Sequence, residues 1–169
     1  MSGKTIGLNM NNGFAGSYAR QPDMIINTQP NKEASASIEF GHALMKATGG
    51  VQLPTASMTA ADFVGVAARQ VETQTNYLNP NAGGAYEPNA PVSVFQRGRI
   101  NVCCPSGTPA LYGNVYIAIK ASTGVNIGDF TAVEGTLNTD TIKLSNAQWG
   151  GSKDANNIVE LVIFNAVNA

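Results

Sequence analysis

The stretch Val115-Tyr116-Ile117-Ala118-Ile119-Lys120 sets the terms for the chain. Apolar residues recur there at every second position, which gives an extended segment one apolar face, a spacing that no α-helix gathers onto one side. From residue 36 onward this pattern repeats as short runs ended by Gly, Pro and Asn clusters. Ser37–Phe40 and Ala43–Ala47 flank Gly41-His42, and Thr48-Gly49-Gly50 closes the second run. Phe63–Val71 sets Phe63, Gly65 and Ala67 against Val64, Val66 and Ala68. Val92–Phe95 leads through Arg97-Gly98-Arg99, read as a hairpin turn between two solvated arginines or as a partner grip, into Ile100–Cys104. Ile127–Val133, Thr141–Leu144 and Ile158–Ala166 complete the set. Only Thr55–Asp62 suits a helix, of two turns at most, with Thr55 or Ser57 as its cap. The expectation is one all-β domain over residues 34–169, a single β-barrel or β-sandwich. Its core is expected to hold Val64, Val66, Val94, Ile100, Val102, Val115, Ile117, Ile119, Leu161 and Ile163.

Residues 1–33 differ. Asn9, Asn11, Asn12, Gly13, Gly16, Pro22 and Pro30 leave Met24-Ile25-Ile26 as their one apolar run. They read as an extended N-terminal arm without a core of its own, ordered only on reaching a neighbour. Met24, Ile25 and Ile26 would add a strand to a partner's sheet edge, with Arg20 and Asp23 pairing beside it. The competing reading has the arm fold back as a strand of its own domain.

Charge narrows the function. Charged residues make up 12% of the chain, with a net charge of −1, where ~25% is usual. Binding to a nucleic-acid backbone is therefore not expected. Gly, Pro and Asn together supply 44 of 169 residues. So lightly charged a surface suits a protein covered by neighbours, hence an oligomer. No window approaches the ~18 apolar residues of a membrane helix, so no membrane partner is expected. The N-terminal residues lack the apolar stretch of a secretory signal, and synthesis in a cytoplasm is expected. Cys103 and Cys104, too close to pair without strain, read as free thiols with one facing inward.

Catalytic parts are scarce. His42 is the single histidine, at a turn, and no Gly-x-Ser-x-Gly elbow accompanies it. One histidine and two adjacent cysteines do not make a zinc site. The carboxylates stand singly along the chain. No catalytic, cofactor or metal residue is assigned, and a small β-barrel enzyme is the weakest reading. Tyr77, Tyr86 and Tyr112, in or beside loops, suit either a protein interface or stacking on glycan.

Taken in order, these features resemble a known family. Gly13-Phe14-Ala15-Gly16 with Ala19-Arg20-Gln21-Pro22-Asp23 is similar to the opening of tailed-bacteriophage capsid cement (decoration) proteins. Ile38-Glu39-Phe40-Gly41, Phe63-Val64-Gly65-Val66-Ala67 and Tyr86-Glu87-Pro88 with Val92-Ser93-Val94 follow the same order. So do Ile127-Gly128-Asp129-Phe130 and the terminal Ile158–Ile163 run, while the Asn/Gly loop at 79–90 departs from the pattern. The resemblance implies a β-tulip or jelly-roll-like fold and no enzymatic activity. It also implies a virion protein, made in the bacterial host cytoplasm, that binds the outside of the phage head. There it would clamp copies of the major capsid protein of the same phage and self-associate, as a trimer ahead of a dimer. Tyr18, Arg20, Asp23, Met24, Ile25, Ile26, Tyr86, Arg97 and Arg99 are the contact residues this reading selects. The alternative function is a tail- or fibre-associated β-domain that binds host-surface glycan.

Overall fold

The computed structural model describes residues 11–70, 84–135 and 140–165. Among them the chain forms, in order, β1 (Tyr18–Pro30), β2 (Ile38–Glu39), β3 (Ala43–Ala47), β4 (Gly50–Gln52) and β5 (Phe63–Ala67). Then come β6 (Ala85–Tyr86), β7 (Pro91–Cys103), β8 (Val115–Ala118), β9 (Phe130–Thr131), β10 (Thr141–Leu144), β11 (Ala147–Trp149) and β12 (Ile158–Ile163). One sheet runs β11-β12-β7-β5-β3-β4, with β1 also paired to β7; a second is β10-β8-β9 and a third β2-β6. Among the described residues no sheet closes on itself, so the barrel alternative is corrected to open, stacked sheets.

The large sheet is covered on both faces, which explains why its central strand β7 carries near-continuous burial rather than strict alternation. One core joins it to the three-stranded sheet: Met45, Phe63, Phe95, Ile100, Leu161 and Trp149 meet Val115, Ile117, Phe130 and Leu144. A second, smaller core joins its other face to the two-stranded sheet through Leu44, Ala67, Val92 and Val94 against Ile38 and Tyr86. Strand β3 shows the sorting, with Ala43 and Met45 in the first core and Leu44 in the second. Nine of the ten core positions expected from the sequence are buried. Val64 is the exception, half-buried against the second core, because a register shift between Leu44 and Met45 breaks the period of two where β3 meets β5.

Two corrections concern local structure. Arg97-Gly98-Arg99 is no turn: β7 runs through it as one thirteen-residue strand. The helix expected over Thr55–Asp62 reduces to a 3₁₀ turn, Ala60–Asp62, preceded by Thr59. There the Asp62 carboxylate accepts the Thr59 N–H at 2.8 Å and the Thr59 hydroxyl at 3.0 Å, and it pairs with Lys46 Nζ on β3 at 2.8 Å. Lys46 first, then the Thr59 donors, lower the Asp62 pKa from 3.8 to about 2. A carboxyl depressed on folding adds stability that is present above pH 3.8 and lost as pH falls toward 2. Lys46→Met is therefore expected to melt slightly lower than the wild type at pH 5, by less than about 1 kcal/mol. Thermal melts at pH 5 and pH 2 check it, since the gap should close at the lower pH.

The described part of the expected arm is a strand of its own sheet. Strand β1 pairs antiparallel with β7, from Pro30 opposite Pro91 to Tyr18 opposite Ile100. Met24 and Ile26 lean on the main core. Ahead of β1, the Gly16 N–H donates to the Asn101 carbonyl and the Asn101 N–H to the Ser17 carbonyl, both at 2.8 Å. The fold-back reading thus describes residues 11–30, because backbone hydrogen bonds supply what the few apolar side chains do not.

Candidate functional site

Four of the charged and polar residues singled out in the sequence converge where β1, β7 and β12 run side by side. Arg20 on β1 lies directly opposite Arg99 on β7, a pairing of like charges that repels unless something neutralises it. Glu160 of β12 does so. It accepts Arg20 Nε on both oxygens, at 3.1 and 3.2 Å, and also accepts a hydrogen bond from Arg99 Nη1. The Glu160 side chain is only 14% exposed, whereas those of Arg20 and Arg99 are 66% and 42% exposed. Beside this trio, Arg97 Nε pairs with Asp23 Oδ1 at 3.2 Å.

The backbone makes room for these groups by an irregularity. Arg20 is opposite Arg99 and Ile25 opposite Arg97, so Gln21 to Met24 bulge out across from Gly98 alone. Pro22 has no N–H for the ladder, which suits it to this bulge. Gly98 stands at φ +113°, and a Cβ there would lie well inside contact distance of the Asp23 carbonyl oxygen. Its glycine is thus required by the close approach of β1. The result is a groove of about 330 Å³ lined by Arg20, Asp23, Arg97 and Arg99, with Val162 and Ile163 of β12 and Phe164 just after it. Phe164 and Ile25 are about half exposed. Three guanidinium groups against two carboxylates leave one net positive charge. The groove can therefore take an acceptor group, either a carboxylate or a run of carbonyl oxygens, beside a small apolar surface.

Not every selected residue belongs here. Tyr18 is 38% exposed, with its ring stacked on Phe95 at 5.8 Å. Of the Met24-Ile25-Ile26 run, Ile25 alone faces solvent, since Met24 and Ile26 pack inward. Tyr86 is corrected outright. It is fully buried in the second core, its ring edge-on to Phe40 at 5.4 Å and its hydroxyl donating to the Ala68 carbonyl. It therefore offers no surface to a partner. Tyr77 lies outside the described residues, so of the loop tyrosines Tyr112 is the one displayed, at 71% exposed. Glu160 was missed in the sequence, where its signal was slight: a single carboxylate inside an otherwise apolar terminal strand.

A second cleft, of about 490 Å³, opens between the sheets. His42 lies in it with Nε2 3.4 Å from Asp129 Oδ1 and 3.8 Å from Glu39 Oε2. It is a buried residue at the end of the turn through Phe40 and Gly41: it precedes β3, Glu39 belongs to β2 and Asp129 precedes β9, so all three sheets meet there. The Arg69 guanidinium covers Phe14 at 4.8 Å and Phe40 at 5.7 Å along the same wall. Cys103 lines the cleft. Burial, helped by the nearby Asp129 charge, pushes its thiol up to about 11, which keeps it neutral and a poor nucleophile. The described residues contain no group of three or more potential metal ligands.

Comparison with known proteins follows this geometry. The fold is similar to that of a chain in the solved capsid of Myoviridae phage XM1, with a TM-score of 0.71, 19% identity and 98% of both chains covered. No curated protein matches the chain. The family described as structural cement protein (E217 gp24/Pam3 gp6) matches residues 3–164. The chain therefore belongs to the phage structural cement protein family: it is a capsid-associated decoration protein of the virion, not an enzyme.

Proposed function

We propose that this protein binds the outer surface of the phage head and clamps neighbouring copies of the major capsid protein, with the arginine groove between β1, β7 and β12 as one of its contacts. The observation that carries the groove is the convergence of Arg20, Asp23, Arg97 and Arg99, far apart in sequence, on one exposed surface. In this reading residues 1–33 present the partner-facing edge, β1, and residues 34–169 supply the rest of the body, a jelly-roll-like sandwich of the two larger sheets. Tyr18 and Ile25 extend the contact along β1. The protein acts as a homo-oligomer, because so lightly charged a surface repels its own copies weakly; a trimer ahead of a dimer is what the family resemblance implies.

The test uses expanded heads and unexpanded proheads stripped of this protein. Wild-type protein is expected to bind the first and not the second. Arg97→Ala, which removes an exposed ion pair of little value to the fold, is expected to bind expanded heads at least about tenfold more weakly, as for a desolvated charged contact. Unchanged binding by Arg97→Ala removes the groove from the interface. Light scattering under reducing conditions with a chelator is expected to show an oligomer, and a stable monomer at micromolar concentration overturns self-association.

A further inference from the structure

Outside glycine, three described residues adopt a left-handed backbone: Asn89, Asn157 and Tyr112, at φ between 61° and 64°. Asparagine tolerates this region, because its short side chain hydrogen-bonds locally. A tyrosine does not, and the Tyr112 side chain is not repaid by burial, since the residue is 71% exposed. Leu111 beside it is 55% exposed. The turn that presents this pair is nonetheless firmly held. The Gly113 N–H donates to the Ala110 carbonyl at 2.8 Å, the Tyr112 N–H to the Trp149 carbonyl at 2.9 Å, and the Trp149 N–H to the Gly113 carbonyl at 3.3 Å. Trp149 itself is fully buried. A rigid support thus displays two large apolar side chains in a conformation that costs stability, the pattern expected where a residue is kept for what it does outside the fold.

Position gives the tip its meaning. Tyr18 pairs with Ile100, Ile100 with Leu161 and Leu161 with Trp149, and Trp149 bonds the Tyr112–Gly113 backbone. This single row crosses the large sheet from the β1 edge to the turn. Four strand spacings put the two ends about 19 Å apart. The arginine groove spans β1, β7 and β12 beside this row, and the Leu111–Tyr112 tip lies past β11 at its far end. The chemistry differs too, because no charged residue occurs from position 105 to position 119, the stretch that contains the tip.

We infer that Leu111 and Tyr112 are a second anchor, seated in an apolar pocket of a capsid-protein subunit neighbouring the one held by the arginine groove. The inference rests on the cement reading above, and it supplies what that reading requires: a clamp needs two separated contacts, one for each neighbour. An uncharged leucine–tyrosine knob fits a pocket with an apolar wall and one acceptor for the phenol hydroxyl.

The experiment measures binding of Tyr112→Gly and Leu111→Ser to expanded heads lacking this protein, alongside melting temperature and light scattering. Glycine adopts the φ of 64° freely. Tyr112→Gly is therefore expected to melt no lower than wild type, to keep its oligomeric size, and to bind heads at least about tenfold more weakly. Leu111→Ser, free of any backbone constraint, is expected to weaken binding in the same direction. Wild-type binding by both variants overturns the inference while leaving the groove untouched. Loss of the oligomer with either variant overturns it also, by assigning the tip to a second copy of the chain. Failure of the wild-type protein itself to bind heads overturns the cement reading, and the second anchor with it.

Discussion

Gly98→Val is expected to unfold the protein or to lower its stability by about 3–5 kcal/mol, as for a strained backbone combined with a steric insertion. The residue sits at φ +113°, and any Cβ would collide with the Asp23 carbonyl. Relief requires β1 to move away from β7, which separates Arg20 from Glu160 and Asp23 from Arg97 as well. Small domains have only ~5–15 kcal/mol in total, so the loss is a large share. Urea denaturation reads it directly. A midpoint equal to wild type would show that the bulge of β1 does not lie over Gly98.

Deletion of residues 1–30 is expected to have the largest effect of all, with no cooperative melting transition remaining. The deletion strips the whole of β1 from one edge of β7 and uncovers the core where Met24 and Ile26 lean. It also removes the bonds that tie Gly16 to Asn101 and to Arg69. An arm ordered only by a neighbour would predict the opposite, an unchanged melting temperature with capsid binding lost. Thermal melting followed by near-ultraviolet circular dichroism separates the two outcomes. A cooperative transition at the wild-type temperature would restore the detachable arm.

Much of the fold was legible. The boundaries expected for Ala43–Ala47 and Thr141–Leu144 coincide with β3 and β10, because alternating or β-branched residues between Gly, Asn and Thr turns leave little choice. Strand β1 was hidden for a physical reason: its ladder bonds come from backbone groups, which every residue carries, while its mostly exposed side chains give no apolar signal. Strand β6 was hidden inside a Pro/Asn/Gly-rich stretch, where two residues suffice to bury Tyr86. Gly98 misled because a glycine between arginines has the composition of a turn. What it provides is space for another strand's carbonyl, a need visible only once the partner strand is placed. The charged half of the site, Arg20, Asp23, Arg97 and Arg99, was selected from the sequence. Glu160, which holds two of those arginines, and the backbone angle of Tyr112 follow from long-range pairing that no local pattern encodes.

The partners of β7 have a consequence for the order of events during synthesis. None of them is its immediate neighbour in the chain: β1 and β5 precede it, and β12 closes the described chain, with Ile163 opposite Gly98 and Ile158 opposite Cys103. The edge of its C-terminal half that faces away from β1 stays open until residues 158–163 have been made. Loop closure over such separations is slow compared with hairpin formation. Until then that one edge of β7 is exposed, and the arginines on either side of Gly98 are charges of the kind that discourage pairing with a second chain.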